Sequence, residues 1–217
     1  RRRAHRAWLD ENYEDAIAQF AKQPAPPTTP TELMIMADSH AVEGDDTEAE
    51  PLLAALGSSI PVEAELIRAR LHWAKRRHRD SWNALRGAFV QLREEPWVNN
   101  DLLNRAMALV VPLAQREASL IPEMREVLAV DFAVSTLRYL REDILVDLAM
   151  LAEDPAGCVA AHAPHEPWVP WDAAFLRRRV DCYERARHHL LPRARRDWEA
   201  FRRASGSVFD RGLDAPG

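Results

Sequence analysis

Apolar residues recur at three- and four-residue spacing along nearly the whole chain. Prolines or short polar clusters interrupt that pattern roughly every 12–18 residues. The period is that of amphipathic helices, each burying one stripe. No stretch alternates with period two, so an all-α fold is expected. Glycine is scarce, seven in 217 residues, while alanine, leucine, glutamate and arginine dominate; these side chains lose little freedom on a helix. The breaks fall at 23–30 (QPAPPTTP), 57–61, 94–96, near Ser119, at 131–136, at Asp154-Pro155 and at 164–171 (PHEPWVPW). They delimit helices at 2–10, 13–22, 31–43, 46–56, 62–76, 79–94, 99–116, 120–130, 136–152, 155–163, 172–187 and 191–204. Pro61, Pro122, Pro155 and Pro192 fall near helix starts, where a missing N–H costs nothing. Pro51 lies in the first turns of its helix, and Pro112 should kink or split the helix at 99–116.

Charge and cysteine content exclude several classes. Net charge is -5, but residues 31–65 hold nine acids and no Lys or Arg, whereas 172–203 hold ten arginines against five acids. Solvated helix faces account for this asymmetry. Arginine outnumbers lysine 27 to 2, a bias of GC-rich coding that weakens any case for a selected phosphate-binding surface, and no nucleic-acid partner is expected. No apolar run approaches the roughly 18–20 residues of a membrane span. A cytoplasmic location is expected, with a membrane region upstream left open. Cys158 and Cys182 are too few for a disulfide framework. They are expected as buried or half-buried helical thiols, with a single bridge between them left open.

Chemistry-bearing constellations are sparse. Cys158, His162 and His165 form C-x3-H-x2-H, and the first two share one helical face. A zinc site wants three or four such ligands, and spacing places no fourth among His5, His40, Cys182 and His188. No metal or cofactor is therefore expected. Asp45-Asp46 and Glu94-Glu95 are neighbours in turns, suited to capping rather than to acid–base pairing. The chain lacks G-x-S-x-G, a P-loop, G-x-G-x-x-G and H-E-x-x-H, so no catalytic role is expected. Trp82 and Trp198 sit at core phases, and Trp97, Trp168 and Trp171 are expected to seal hairpin ends beside loop prolines.

Short helices with short loops imply stacked hairpins, so the repeat period matters. Residues 31–64 place Leu33, Met36 and Ala37 on a first helix. Gly44-Asp45 follows in the turn, Ala49 at a small contact position, and Leu53 and Leu56 after it, with Pro61 closing the unit. Asn12 to Ile17 repeats the turn and second-helix start, with Ala16 as the small contact and Phe20 as the large wedge. This pattern resembles tetratricopeptide repeats, clearly to moderately over 1–96 and loosely over 171–204. Residues 62–96 keep the period with Arg77-His78 in place of a turn glycine. The implied organisation is TPR-like repeats at 1–96, degenerate helical pairs at 97–170, a C-terminal hairpin at 171–205 and a disordered tail at 206–217. A second resemblance covers Cys158 to Tyr183 (CVAAHAPHEPWVPWDAAFLRRRVDCY). With the preceding repeats, it is similar to the helical C-terminal region of bacterial fusions of a transporter-like region with a spermidine-synthase-like domain.

The first resemblance implies an α-solenoid of about ten to twelve helices whose first helices line a concave face. By repeat position that face includes His5, Trp8, Met34, Asp38, Arg68, His72, Arg177, Asp181 and Glu184. It implies a non-catalytic scaffold that takes a protein or peptide, or another domain of the same chain. The clamp for acidic chaperone tails is not expected, because Asp38 would repel a carboxylate. The second resemblance implies instead an accessory region of a polyamine-synthase-like enzyme, and carries no active-site residue into this chain. The start at Arg1, inside a helical pattern, reads as a piece of a longer protein.

Overall fold

A computed structural model describes residues 1–133 and 138–213, with side chains through Ser205. The expected break at 131–136 and tail at 206–217 therefore lie partly outside the described residues. The described residues form thirteen α-helices and no strands. These are α1 (Arg2–Leu9), α2 (Tyr13–Ala21), α3 (Pro30–Glu43), α4 (Asp46–Leu56), α5 (Pro61–Ala74), α6 (His78–Gln91), α7 (Asn100–Met107), α8 (Val110–Arg116), α9 (Ile121–Ala129), α10 (Arg138–Leu151), α11 (Pro155–His162), α12 (Ala173–Arg185) and α13 (Leu191–Leu213). They divide into two compact units, Arg1–Arg138 and Tyr139–Gly217, so the division falls within the stretch expected as a degenerate middle.

Helix ends follow local chemistry. Thr29 and Glu32 make a reciprocal capping box at α3, with Pro30 opening the helix. Asn12, Asp45, Asn99, Asp154 and Asp172 each accept a backbone N–H in the first turn of the helix that follows. Pro112 splits the expected helix at 99–116. Its ring would clash with the carbonyl four residues back, and the chain resolves this by ending α7 at Met107 and restarting at Val110. Pro112 thereby falls in a first turn. At the other end, α13 continues to Leu213, past the expected stop at 204.

One turn recurs. Glu11, Gly44, Arg76, Glu153 and Arg187 have positive φ, between 48° and 73°. Each donates its N–H to the carbonyl three residues back, at 2.9–3.2 Å, and the following N–H reaches the carbonyl five residues back, at 2.8–3.1 Å. Those two bonds are the Schellman closure of a helix C-terminus. It therefore joins α1 to α2, α3 to α4, α5 to α6, α10 to α11 and α12 to α13. The turns at Glu11, Gly44 and Arg76 lie 33 and 32 residues apart, and those at Glu153 and Arg187 lie 34 apart.

In the first unit, α1, α3, α5 and α7 pack one on the next, and each of the first three also packs on its own hairpin partner. Ala16 and Ala49 are fully buried, as close helix contacts require. Phe20, Leu53 and Leu56 follow them into the core, and Trp82, Leu85 and Phe89 fill the third hairpin. In the second unit Ala149, Cys158, Cys182, Tyr183 and Ala194 form a core cluster drawn from all four helices. Trp97 and Trp168, expected to seal hairpin ends, are 83% and 87% exposed and seal nothing. Trp171 does pack, edge-on to Phe201.

Candidate functional site

The first helices carry most of the residues expected on a binding face, but their burial sorts them into two groups. Trp8, Met34 and Asp38 are interior. His5 is exposed, and Arg68 and His72 are half-buried on α5. Arg68 pairs with Glu65 on its own helix. Burial, helped by Arg77, lowers the pKa of His72. In the second unit Arg177 and Glu184 are exposed and Asp181 is half-buried on α12. Glu184 accepts from Arg195 of α13 at 2.6 Å.

Trp8 and Asp38 meet inside the first unit. The indole Nε1 donates to Asp38 Oδ2 at 2.7 Å. The guanidinium of Arg70 pairs with Asp38 Oδ1 and donates to the Tyr13 hydroxyl at 2.7 Å. Arg105 lies with its guanidinium 4.5 Å from the Trp8 ring centroid and 3.9 Å from Asp38 Oδ2. It also donates to the carbonyls of Trp8 and Leu9, at 3.0 and 3.1 Å. One fully buried carboxylate thus joins α1, α3, α5 and α7. Two cations neutralise it, which is what a buried charge requires. Burial opposes the charge on Arg70, but Asp38 and Tyr13 outweigh it and raise the arginine pKa. Tyr13, Arg70 and Arg105 were not expected here, because arginines are read as surface residues. A signal did exist: Asp38 and Arg70 both lie six residues before a recurrent turn, so opposite charges occupy one position of neighbouring hairpins.

The second unit has its own buried charge. Arg179 is 1% exposed and makes a bidentate contact with Glu166 at 2.7 and 2.8 Å, and a third bond to Asp197 at 2.7 Å. The Tyr183 hydroxyl donates to Glu166. Burial pushes the Glu166 carboxyl up, but the bonds from Arg179 and Tyr183 outweigh it and hold its pKa below the ordinary value. Arg178 reaches from α12 to Asp143 and Asp147 of α10. Of the run Arg177–Arg179, only the first is left on the surface.

Beside this network lie the expected metal-ligand candidates, in a different combination. Cys158 and Cys182 are joined as a disulfide, Cα to Cα 6.0 Å, where helical thiols were expected. The reason is tertiary: α11 packs on α12, which sequence spacing does not reveal. His162 lies one turn after Cys158 and is fully buried. Its ring is edge-on to Phe175 at 5.1 Å and to Tyr183 at 5.8 Å. Neither ring nitrogen has a hydrogen-bond partner. Burial, and then the nearby His165, Arg178 and Arg179, lower its pKa to about 3. His165 turns elsewhere, with Nε2 3.4 Å from Glu142. Among the described residues, no helix is long and apolar enough to cross a membrane. No protein-family model, curated protein or solved structure matches the chain.

Proposed function

We propose that the chain is a non-catalytic helical-repeat scaffold of the tetratricopeptide type, docking a protein, a peptide or another domain of its own chain on its first-helix face. The recurrence of one turn carries this reading. Five hairpins close with the same pair of backbone bonds, at repeat-length spacing within each unit. A sequence that places Glu or Arg in a left-handed turn, where Gly or Asn is cheaper, keeps the hairpin geometry rather than a local preference. Such geometry is worth keeping when it lays successive first helices side by side.

The docking positions on this reading are exposed His5 and half-buried Arg68 and His72 in the first unit and, on a separate face of the second unit, exposed Arg177 and Glu184 with half-buried Asp181. Trp8, Met34 and Asp38 hold that face from within. Photo-crosslinking in the full-length protein in its native cells tests the assignment. A photoreactive residue at His5, Arg68 or His72 should yield a discrete adduct, within the chain or to one partner. The same residue at exposed Glu14 of α2 or Arg86 of α6 should not. Equal adducts from both sets of helices, or none from either, would remove the docking face.

A further inference from the structure

The second unit contains an unused set of soft donors. The two cysteine sulfurs and one imidazole nitrogen of His162 lie within 4.8 Å of one another, and all three residues are buried. The imidazole is the informative member. Burying a polar ring without a hydrogen bond is unfavourable, and native cores rarely leave both nitrogens unmet. His162 packs edge-on to two aromatic rings, and neither of its ring nitrogens has a hydrogen-bond partner, so a nitrogen lone pair is left without a proton or donor to meet it. An imidazole in that condition beside two sulfurs is the form a metal ligates.

We propose that Cys158, Cys182 and His162 form a redox-gated site for a thiophilic d10 cation of the Zn2+ class. With the disulfide intact, the sulfurs are bonded to each other and the site is closed. A thiol reductant opens it by exchange: two R–SH become R–S–S–R, and the two cysteines each gain a hydrogen. The ion then replaces the two thiol protons, giving two Zn–S bonds, one Zn–N bond to His162 and two released protons. Two sulfurs and one nitrogen make three protein ligands, which leaves the fourth tetrahedral position to water.

The surroundings suit this chemistry. A cavity of about 340 Å³ opens directly on both cysteines, lined also by Met150, Asp154 and Arg185. Both cysteines are buried at its wall, so a reductant reaches the sulfurs only when this wall opens. Arg185 lines the cavity together with Glu153 and Asp154, so it carries charge of both signs. The Met150 thioether lies 3.4 Å from the Cys158 sulfur, so soft donors surround the site. Cys158 and His162 are one turn apart on α11, and Cys182 comes from α12. The ion would therefore staple the same two helices that the disulfide staples.

The test uses the whole chain and a phosphine reductant, which takes up the oxygen of water as it splits the disulfide and leaves no competing thiol. Oxidised and reduced protein are each dialysed against buffered Zn2+ and the metal is counted; Co2+ then reports sulfur ligation by its thiolate charge-transfer absorption. The proposal expects one ion per reduced chain, none per oxidised chain, and a cobalt thiolate band. Cys182→Ser should abolish uptake. His162→Leu, which keeps both thiols, should weaken binding at least roughly tenfold. Reduction could also unfold the second unit, so helical circular dichroism is followed in parallel. Refolding on addition of Zn2+ would support the site, because ion binding then drives folding. A reduced chain that takes up no Zn2+, whether folded or not, overturns it. So does equal uptake by the oxidised chain, or an unchanged affinity in His162→Leu.

Discussion

Replacing Asp38 with alanine is expected to cost the first unit about 3–5 kcal/mol, the range for removing one partner of a buried ion pair. The carboxylate is fully buried and receives Trp8 Nε1, Arg70 and, at longer range, Arg105. Without it, Arg70 keeps its charge at 9% exposure, and the indole N–H loses its acceptor. Urea unfolding measures the loss as a fall in midpoint at unchanged slope. A companion variant separates charge from packing. Replacing Asp38 with Leu and Arg70 with Met together removes both charges and fills the space. That pair should cost clearly less than Asp38→Ala alone, since a buried pair exchanged for apolar groups is often nearly neutral. If Asp38→Ala melts within about 1 kcal/mol of the parent, the carboxylate does not organise these helices.

The second large effect is a loss of stability in mild acid that depends on His162. Its pKa is lowered from 6.5 to about 3 in the folded chain, chiefly by burial. Below pH 6.5 the unfolded chain takes up a proton at this residue and the folded chain does not. The unfolded state is therefore favoured as pH falls from 6.5 towards 3. At about 1.4 kcal/mol per pH unit, the loss reaches roughly 3 kcal/mol by about pH 4.5. Glu166, held below the ordinary carboxylate value, adds its own loss only below about pH 4.5, where the unfolded carboxyl begins to protonate. His188 has a lowered pKa as well, so the comparison with His162→Leu isolates the buried ring. The variant should lose most of the slope between pH 6.5 and 4.5. An unchanged slope would mean that His162 reaches solvent readily.

The amino-acid sequence reveals the helices of this chain more fully than their contacts. The bounds of α4 match the expected 46–56, because Asp45 caps one end and a Gly-Ser-Ser break closes the other. Pro112 marks a discontinuity that the chain places between α7 and α8. The turns are half legible. Gly44 announces its left-handed turn, whereas Glu11, Arg76, Glu153 and Arg187 adopt the same conformation without a residue type that favours it. There the hairpin overrides local preference. The third turn, expected at Arg77-His78, has its positive φ one residue earlier, at Arg76.

The interior charges were the least legible. Trp8 and Asp38 stand at positions expected to face a partner, yet a face crowded by neighbouring first helices becomes interior. Arginine conceals its role because the same residue type serves a solvated face at Arg177 and a buried pair at Arg179. For the sulfur site, spacing offered Cys158, His162 and His165 on one segment. The third member is instead Cys182, brought over by the packing of α12 on α11. His165 is taken by Glu142. Helical period reports which residues share a face; it does not report which distant face will meet it.

Beside the recurrent turn, the docking proposal requires that α1, α3, α5 and α7 form a single face tied from inside by Asp38. Hydrogen exchange read peptide by peptide tests it most directly. In the parent chain the amides of these four helices should exchange together, at one common protection. In Asp38→Ala all four should lose protection by a similar factor, while the second unit, α10 to α13, keeps its own rate. If α3 alone loosens and α1, α5 and α7 exchange as before, the first helices are independent elements and the common face does not exist.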